Sequence, residues 1–560
     1  ASGAYIPGHG TPTVILVGKQ RGGAGRSPVI RTVRSVQGEP AAPENAEEGL
    51  VWRAIVEQID KPGSVSQWVS VDDLDRARYF AKKPWILTDG GLELVEALTT
   101  ARVSTLKPHI VRVGFYGDTH ADDALTMPAR TLKNRDAEPE FVKRIGVGDE
   151  VRDYAIAGGN SVIHPYDSRR SIAPLTSMPN IARLLWPNRT ELGSRSTFAG
   201  GTYFRDGRPW WEWHQLPKDL GAHPWSLNFA FVATHNHVVL DRSECAFTRT
   251  APVIKLRAGA SEEEHLRLLG LLNSSTAGLW LKMVSHSKGT EGHQSGIKTE
   301  AWEQFYEFTG TKVQDFPLPA EYPAALASAL DSLAQQMTAI SPAAVAAEST
   351  PVATVLREAK ARWESARARM IALQEELDWQ VYSLYNLHPE DLRVSEDPDD
   401  PSIPELTLGE RAFEIVLARR VAAGEASDEW FKRHNSTPIT EIPAHWPEPY
   451  REVVQKRIDA IKSNRAIGMV ERPEYKRRWA TEGWDALQDK ALRSWLLDRM
   501  ENRDLWFDEN GQPTILTLSR LTDALSRDDD FVSVAKLYAP RKDLPQVVAE
   551  LITNEHVPFL

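Results

Sequence analysis

The residues best suited to contact a phosphate backbone lie just after a long apolar helix. Ser285-His-Ser-Lys-Gly-Thr-Glu-Gly-His-Gln-Ser-Gly-Ile-Lys298 combines three glycines with small hydroxyls, two histidines and two lysines. Loops that offer backbone amides, hydroxyls and cations are typical phosphate contacts. A solvated surface loop would explain any single residue equally well. Taken as a whole, the segment predicts DNA contacts from Lys282, Ser285, His286, Lys288, His293 and Lys298.

A second basic patch, Glu474-Tyr-Lys-Arg-Arg-Trp479, interleaves cations with aromatic residues. Phosphate contacts combined with base stacking use this pattern. We therefore add Lys476, Arg477 and Arg478 to the predicted DNA-binding residues. Because the surrounding region is acidic, an intramolecular ion-pair surface is the alternative interpretation.

Other chemistry-bearing strings predict no catalytic or metal residues. His235 and His237 alternate within Thr234-His-Asn-His-Val-Val-Leu-Asp241 and could share one face of a strand, as metal ligands do. No third and fourth ligand can be named, so histidines that satisfy polar groups in a folded strand are favoured. The tryptophans of 207–216 are interpreted as core rather than as a stacking surface. Phosphate-loop, dinucleotide-binding, zinc-protease and nucleophile-elbow motifs do not occur in the sequence.

Composition indicates an ordinary globular protein of several domains. The chain has 560 residues, a formal charge of −11 and one cysteine, Cys245, which excludes an internal disulfide framework. No apolar run reaches the length of a membrane-spanning helix, and no secretory signal is visible, so the predicted location is the cytoplasm. The negative charge argues weakly against nucleic acid as a partner, although a DNA-binding groove needs only a local basic strip.

The fold class predicted for these elements is α+β. Residues 13–17 predict a strand buried on both faces, the kind found in the middle of an α/β sheet. Residues 19–48 predict a linker, and 49–60, 72–82 and 91–99 predict short helices. Residues 103–318 alternate short strands, at 109–116, 158–165, 229–240 and 251–256, with turns and one helix over 262–284.

The rest of the chain predicts helices. Leu356, Trp363, Met370 and Leu377 belong to an apolar seam over about four heptads, suited to packing on another long helix. The proline-rich acidic stretch 395–404 ends this spacer. Further helical patterns lie at 410–423, 450–463, 484–500, 518–525 and 545–553.

Several strings together resemble the C-terminal part of the PglX family, the adenine-specific DNA methyltransferases of type 2 BREX (phage growth limitation) defence systems. The matching strings are 5–18, 148–154, 229–240, 268–275, 280–289, 307–310, 376–379, 384–387 and 471–479. The resemblance implies four parts: a C-terminal remnant of a methyltransferase domain with its connector (1–102), a target recognition domain (103–318), a helical spacer (319–404) and a helical C-terminal domain (405–560). The strand at 13–17 would then be the terminal strand of the methyltransferase sheet.

The resemblance also implies a reaction and its limits. The family transfers a methyl group from S-adenosylmethionine to adenine N6 within a specific site, after extrusion of the base. The family's cofactor loop and its Asn-Pro-Pro-Tyr/Phe motif do not occur in this sequence. We therefore expect the cofactor to serve the complete enzyme without binding this chain alone. The implied partners are double-stranded DNA, a methyltransferase half or domain and other defence-system proteins, with no membrane.

Two alternatives remain at this stage. The chain could be a protein-interaction scaffold of a defence complex that uses the long seam and the C-terminal helices. A metallohydrolase built on His235 and His237 is the weaker alternative. Salt-dependent binding to duplex DNA would distinguish DNA recognition from a scaffold.

Overall fold

The computed structural model describes residues 16–18, 26–36, 43–167, 169–218, 224–289, 300–480 and 482–553. Across these residues the chain is mixed α+β, which confirms the predicted fold class. Residues 13–15 of the predicted first strand lie outside the described residues, as do the glycines at 22–25. Leu16 and Val17 are exposed and belong to no strand.

The first described layer is a two-stranded antiparallel sheet, Val29–Ser35 with Val69–Asp75. Its helices are Leu50–Gln58, Arg76–Phe80 and Gly91–Ala101. The prediction of a linker over 19–48 was therefore wrong at Val29–Ser35. The helix predicted at 72–82 begins only at Arg76, because residues 69–75 pair with Val29–Ser35 and bury Val69 and Val71 on one face of the strand.

Small sheets form the middle of the chain. One four-stranded antiparallel sheet has the order Val238–Asp241, Ser226–Phe229, Val253–Leu256, Ile110–Gly114. A second has the order Ala246–Phe247, Val142–Gly146, Asn160–Ile163, Thr126–Pro128. Short pairs and a three-stranded sheet complete this part: Val151–Arg152 with Ala155–Ile156, Ser104–Thr105 with Pro317–Leu318, and Val232–Ala233 with Phe305–Glu307 and His286–Gly289. The pairing of Ser104–Thr105 with Pro317–Leu318 joins the two ends of the predicted recognition domain.

The helix predicted over 262–284 is two helices, Glu262–Leu272 and Ser275–Val284. The chain breaks there because Asn273 leaves the helix and pairs its side-chain amide with both backbone groups of Val238. Ser274 then caps the second helix by accepting a hydrogen bond from the Ala277 amide, 3.1 Å away. The apolar spacing predicted one helix because it continues across the break. The remaining helices of the middle region are Asp122–Leu125, Ala129–Asn134, Pro179–Leu185, Arg189–Ser194 and Gly310–Gln314.

The tryptophan-rich stretch 207–216 lies in the core, as predicted, although it forms no regular strand. Trp210 and Trp213 are buried, and the Trp213 indole donates to the Ile163 carbonyl at 2.9 Å. Both rings belong to a core shared with Val162 and Ile163 of the second four-stranded sheet. The loop is therefore anchored by its indoles and by a single backbone bridge between Gln215 and Asp118.

The predicted long spacer helix is present as Ala353–Leu384, preceded by Ala324–Ala339 and Pro342–Glu348. Its first half packs Leu356 and Trp363 into a core with the last helices of the chain. Its second half is buried on all sides from Met370 to Trp379, in a core that also contains the two helices around Asn273. The spacer therefore runs through the centre of the molecule.

Helices dominate the remaining chain: Ala412–Ala422, Glu429–Arg433, Glu448–Ser463, Arg465–Val470, Trp484–Met500, Arg503–Trp506, Leu518–Leu525, Asp529–Tyr538 and Leu544–Thr553. The five helices predicted here are confirmed. Among the described residues, none of the helices has the length and apolar content needed to cross a membrane.

Candidate nucleic-acid interface

The phosphate-contact segment begins with a β-hairpin. His286–Gly289 pairs antiparallel with Phe305–Glu307, and the register shifts between Ser287 and Gly289, which places Lys288 at a β-bulge. Bulges re-aim side chains. His286 and Lys288 are exposed, and the Lys288 ammonium lies 2.5 Å from Glu307 Oε2. This hairpin presents the described cations of the segment to solvent.

The two basic patches predicted from the sequence meet in the structure. Lys282 is buried and donates to the carbonyl of Glu474. Its ammonium also lies 5.3 Å from the ring centroid of Tyr306 and 5.8 Å from that of Tyr475. Lys282 therefore attaches the second patch to the hairpin and does not itself face solvent.

Arg478 lies beside the hairpin with an incompletely compensated charge. It donates to Thr234 Oγ1 at 3.2 Å, to the Trp302 carbonyl at 3.1 Å and to His434 Nε2 at 3.3 Å, all uncharged acceptors. Burial lowers the pKa of Arg478 to about 10, the nearby charge of Arg433 adds to this effect, and the Glu303 carboxylate opposes it without cancelling it. Burial also lowers the pKa of His434 to about 4, so this acceptor is neutral at physiological pH.

Lys476 is buried completely. Its ammonium lies 3.1 Å from Glu375 Oε1, 3.0 Å from Asp378 Oδ2 and 2.9 Å from Glu471 Oε1. Burial alone would lower the pKa of Lys476, but the three carboxylates outweigh it and raise that pKa above its usual value. Intramolecular ion pairing, the alternative considered for this patch, describes Lys476 in this structure.

Arg477, the next residue, is buried as well, among different partners. It donates to Asn273 Oδ1 at 2.5 Å and to His237 Nδ1 at 3.3 Å, and it lies 3.5 Å from Asp153 Oδ1. Asn273 also accepts from the Val238 amide, so Arg477 connects the helix break to the strand that follows the histidine pair. Arg477 therefore positions the elements around it.

Lys476 and Arg477 belong to a larger buried cluster, which we call the polar joint. The Asp378 carboxylate accepts from the backbone amide and the hydroxyl of Ser275, at 2.7 and 2.5 Å. Gln374 donates to the Asn273 carbonyl at 3.3 Å and accepts from the Tyr154 hydroxyl at 2.7 Å. The joint comprises Tyr154, Asn273, Ser275, Gln374, Glu375, Asp378, Glu471, Lys476 and Arg477. It connects the region 103–318, the long helix Ala353–Leu384 and the C-terminal helices.

The predicted DNA-binding residues therefore divide by exposure. His286 and Lys288 are exposed, Ser285 and Arg478 are half-buried, and Lys282, Lys476 and Arg477 are buried. His293 and Lys298 lie outside the described residues. Sequence reasoning missed the acidic members of the joint, although the polar run Gln374-Glu-Glu-Leu-Asp378 inside an apolar seam was a signal for them.

The histidine pair lies in the core. The rings of His235 and His237 are 5.6 Å apart, and burial lowers the pKa of both well below its usual value, with the neighbouring cations adding to the effect. The Nδ1 atom of His237 accepts a hydrogen bond from Arg477. Among the described residues, no group of three or more His, Cys, Asp or Glu side chains is arranged to hold a metal ion.

Comparison with known proteins identifies the relatives of this chain. A protein-family profile described as "Domain of unknown function (DUF7008)" matches residues 370–560, a range that includes most of the polar joint. The protein "Adenine-specific methyltransferase PglX" of Streptomyces coelicolor (strain ATCC BAA-471 / A3(2) / M145) is 76% identical over 562 residues. The match covers 100% of this chain and 46% of that protein, so the chain spans about half the length of the curated relative that it matches. The predicted resemblance is confirmed: along its whole length, the chain is similar to the C-terminal part of an adenine-specific methyltransferase, PglX.

Proposed function

We propose that this chain is the DNA-recognition and scaffold portion of a site-specific, S-adenosylmethionine-dependent adenine N6 DNA methyltransferase in bacterial anti-phage defence. The observation that carries the proposal is the 76% identity to PglX over the full chain. An adenine-specific methyltransferase must find its base within duplex DNA. The catalytic and cofactor motifs of the family do not occur in this sequence, so its contribution to the reaction is recognition and support.

The hairpin and Arg478 form the phosphate-contacting surface in this proposal. Lys288 is exposed and Glu307 half-buried, and ion pairs at a protein surface are weak enough to exchange one partner for a phosphate. Arg478 has neutral acceptors in the structure, so a phosphate would supply the missing negative charge. His293 and Lys298, predicted from the sequence to contact DNA, lie between the two strands of the hairpin in sequence and outside the described residues. The buried Lys282, Lys476 and Arg477 hold this surface in place from behind.

Salt-dependent binding to duplex DNA tests the recognition half of the proposal. Removal of one cation that binds a phosphate should lower the slope of log K against log salt by about 1. We therefore expect Lys288→Ala and Arg478→Ala each to lower the slope by about that amount and to weaken binding evenly across sequences. Arg527→Ala, an exposed arginine in the C-terminal helices, is the control and should leave the slope unchanged.

A flat salt dependence, or no binding to any duplex, would contradict DNA recognition and favour a protein-interaction scaffold. The methylation half is tested with the N-terminal part of the Streptomyces coelicolor relative, which would supply the cofactor site. S-adenosylmethionine-dependent adenine methylation is assayed with each part alone and with both together. Equal activity with and without this chain would count against the proposed role in methylation.

A further inference from the structure

Three large aromatic side chains are exposed on one segment of the recognition region. Phe198 is 73% exposed, Trp186 61% and Phe204 42%, all between positions 186 and 204. Single exposed apolar residues are common, but a group of aromatic rings on one surface marks a binding site. None of these residues belongs to the hairpin surface or to the polar joint.

Phe198 is carried by a rigid turn. Ser196 and Thr202 pair across the turn, and the Gly200 amide donates to the Thr197 carbonyl at 3.1 Å. Gly200 has φ +80°, a left-handed conformation that favours glycine. The buried Arg195 supports the base of the turn by donating to the carbonyls of Trp210 and Glu212, at 2.9 and 2.8 Å. The backbone that carries the exposed ring is therefore held by several hydrogen bonds.

The Phe198 ring contacts a stacked pair of histidine rings. The ring of His214 lies 4.0 Å from that of His120 and nearly parallel to it, and it lies 4.5 Å from that of Phe198, to which it is tilted by 42°. Burial, followed by the proximity of His120, lowers the pKa of His214, so this ring is neutral at physiological pH. His120 is exposed at the other end of the contact. The stack is therefore a preformed aromatic surface backed by a buried neutral ring.

The segment that carries Phe198 is basic, which indicates the chemistry of its partner. Residues 169–218 contain eight arginines and lysines against three aspartates and glutamates, in a chain whose net charge is −11. The Arg189 guanidinium lies 5.1 Å from the Trp186 ring centroid and 4.9 Å from that of Phe204. A partner that is both anionic and rich in flat rings satisfies this surface. Nucleic acid has both properties, because every base offers a π-face next to a phosphate.

The aromatic surface is connected to the hairpin surface through Arg249. Its guanidinium lies 3.3 Å from Asp118, two residues before His120. The next residue, Thr250, accepts a hydrogen bond from the amide of Phe231, and Val232 pairs with Glu307 of the hairpin. A chain of contacts therefore links the segment that carries His120 to the hairpin.

We infer that Phe198 stacks on a base of the bound DNA, either an unpaired base or a base step that it opens as a wedge. This inference rests on the proposed function and adds a specific contact to it. Apolar side chains on recognition modules insert between base steps in this way, and stacking requires no particular base. The turn supplies direction, the arginines of 169–218 supply attraction, and His214 supports the ring from behind.

The test measures binding of the full chain to a fluorescein-labelled mixed-sequence duplex of about 30 bp, about three helical turns. Phe198→Ala should weaken binding roughly 5- to 150-fold, the range for one stacked base. The slope of log K against log salt should stay unchanged, since the substitution removes no charge. Phe198→Trp should retain binding, because it keeps an aromatic face. Trp52→Ala, an exposed aromatic residue outside the recognition region, is the control.

A second readout locates the stacked base. A duplex carrying 2-aminopurine opposite an abasic site should lose fluorescence on binding the wild-type chain and Phe198→Trp, and should keep it on binding Phe198→Ala. Equal affinities of the wild-type chain and Phe198→Ala for the duplex would overturn this inference and leave the proposed function standing. Failure of the wild-type chain to bind any duplex would overturn both. Weakening that Phe198→Trp does not restore would show a structural role for the residue and would also overturn the inference.

Discussion

Replacement of Lys476 by methionine tests whether the polar joint holds the molecule together. The substitution removes the positive charge that contacts Glu375, Asp378 and Glu471 and leaves three buried carboxylates without it. At an effective dielectric constant of about 20, two unit charges about 3 Å apart interact by about 5 kcal/mol. Part of that interaction is offset by the cost of burying the ammonium, and loss of one member of a buried pair typically costs about 3–5 kcal/mol.

The expected loss of unfolding free energy can also be calculated from the protonation of a carboxylate, which would relieve the uncompensated negative charge in the variant. Burial already raises the pKa of Glu375 to about 7, so relief in the variant requires protonation of a further buried carboxylate, which costs about 4 kcal/mol at pH 7 because the usual carboxyl pKa lies about three units lower. We therefore expect Lys476→Met to lower the free energy of local unfolding by about 4 kcal/mol at pH 7. In the variant, this carboxylate binds a proton more tightly in the folded state than in the unfolded state, so stability falls as pH rises. The loss should shrink by about 1.4 kcal/mol for each pH unit from 7 down to 5.

Hydrogen exchange measured by mass spectrometry reports this loss in peptides that cover 370–384 and 471–479. A loss of about 4 kcal/mol corresponds to exchange about a thousandfold faster in the most protected amides. Lys432→Met is the matched control, because its ammonium also lies near two carboxylates, Asp428 at 2.7 Å and Glu429 at 3.2 Å, but is 60% exposed. The control should change exchange only around its own helix. Equal effects of the two substitutions, or a loss at Lys476 that does not depend on pH, would refute the reasoning.

Two further predictions concern the same core. Burial raises the pKa of Glu375 to about 7, against the opposing charge of Lys476, so its contribution to stability should be lost as pH rises from about 4.5 through 7. Glu375→Gln should remove up to about 3 kcal/mol of this decline between pH 5 and 8, measured by unfolding at a series of pH values; an unchanged decline would contradict the assignment. Gly270→Ala should destabilise the chain by about 1–3 kcal/mol, because its Cβ would lie 2.5 Å from that of Ala327 at a helix crossing. Gly159→Ala, whose Cβ would meet no atom within 4 Å, should leave the thermal midpoint unchanged, and equal midpoints for both variants would show that the crossing can adjust.

Local patterns predicted the helices and several strands because their signals lie within a few turns of chain. The seam of the spacer is an example, since Leu356, Trp363 and Met370 all repeat at helical spacing and all become buried. The break at Asn273 was missed because it depends on a strand more than 30 residues earlier, where the asparagine side chain pairs with Val238. The strand Val29–Ser35 was missed for a similar reason, since its partner begins at Val69. Apolar spacing carries no information about such distant pairs.

The basic residues show the same contrast between what the sequence predicts and what only the tertiary structure reveals. Composition and spacing identified two cationic patches, 282–298 and 476–478, and the resemblance to methyltransferases connected them with DNA. Lys476 and Arg478 are only two positions apart, and only the tertiary structure distinguishes them. The hydrogen-bond acceptors of Arg478 are neutral, whereas Lys476 is enclosed by three carboxylates. The physical reason is that a side chain's type determines its charge, whereas its exposure and most of its compensating groups come from residues that are distant along the chain, such as Glu375 and Asp378 for Lys476.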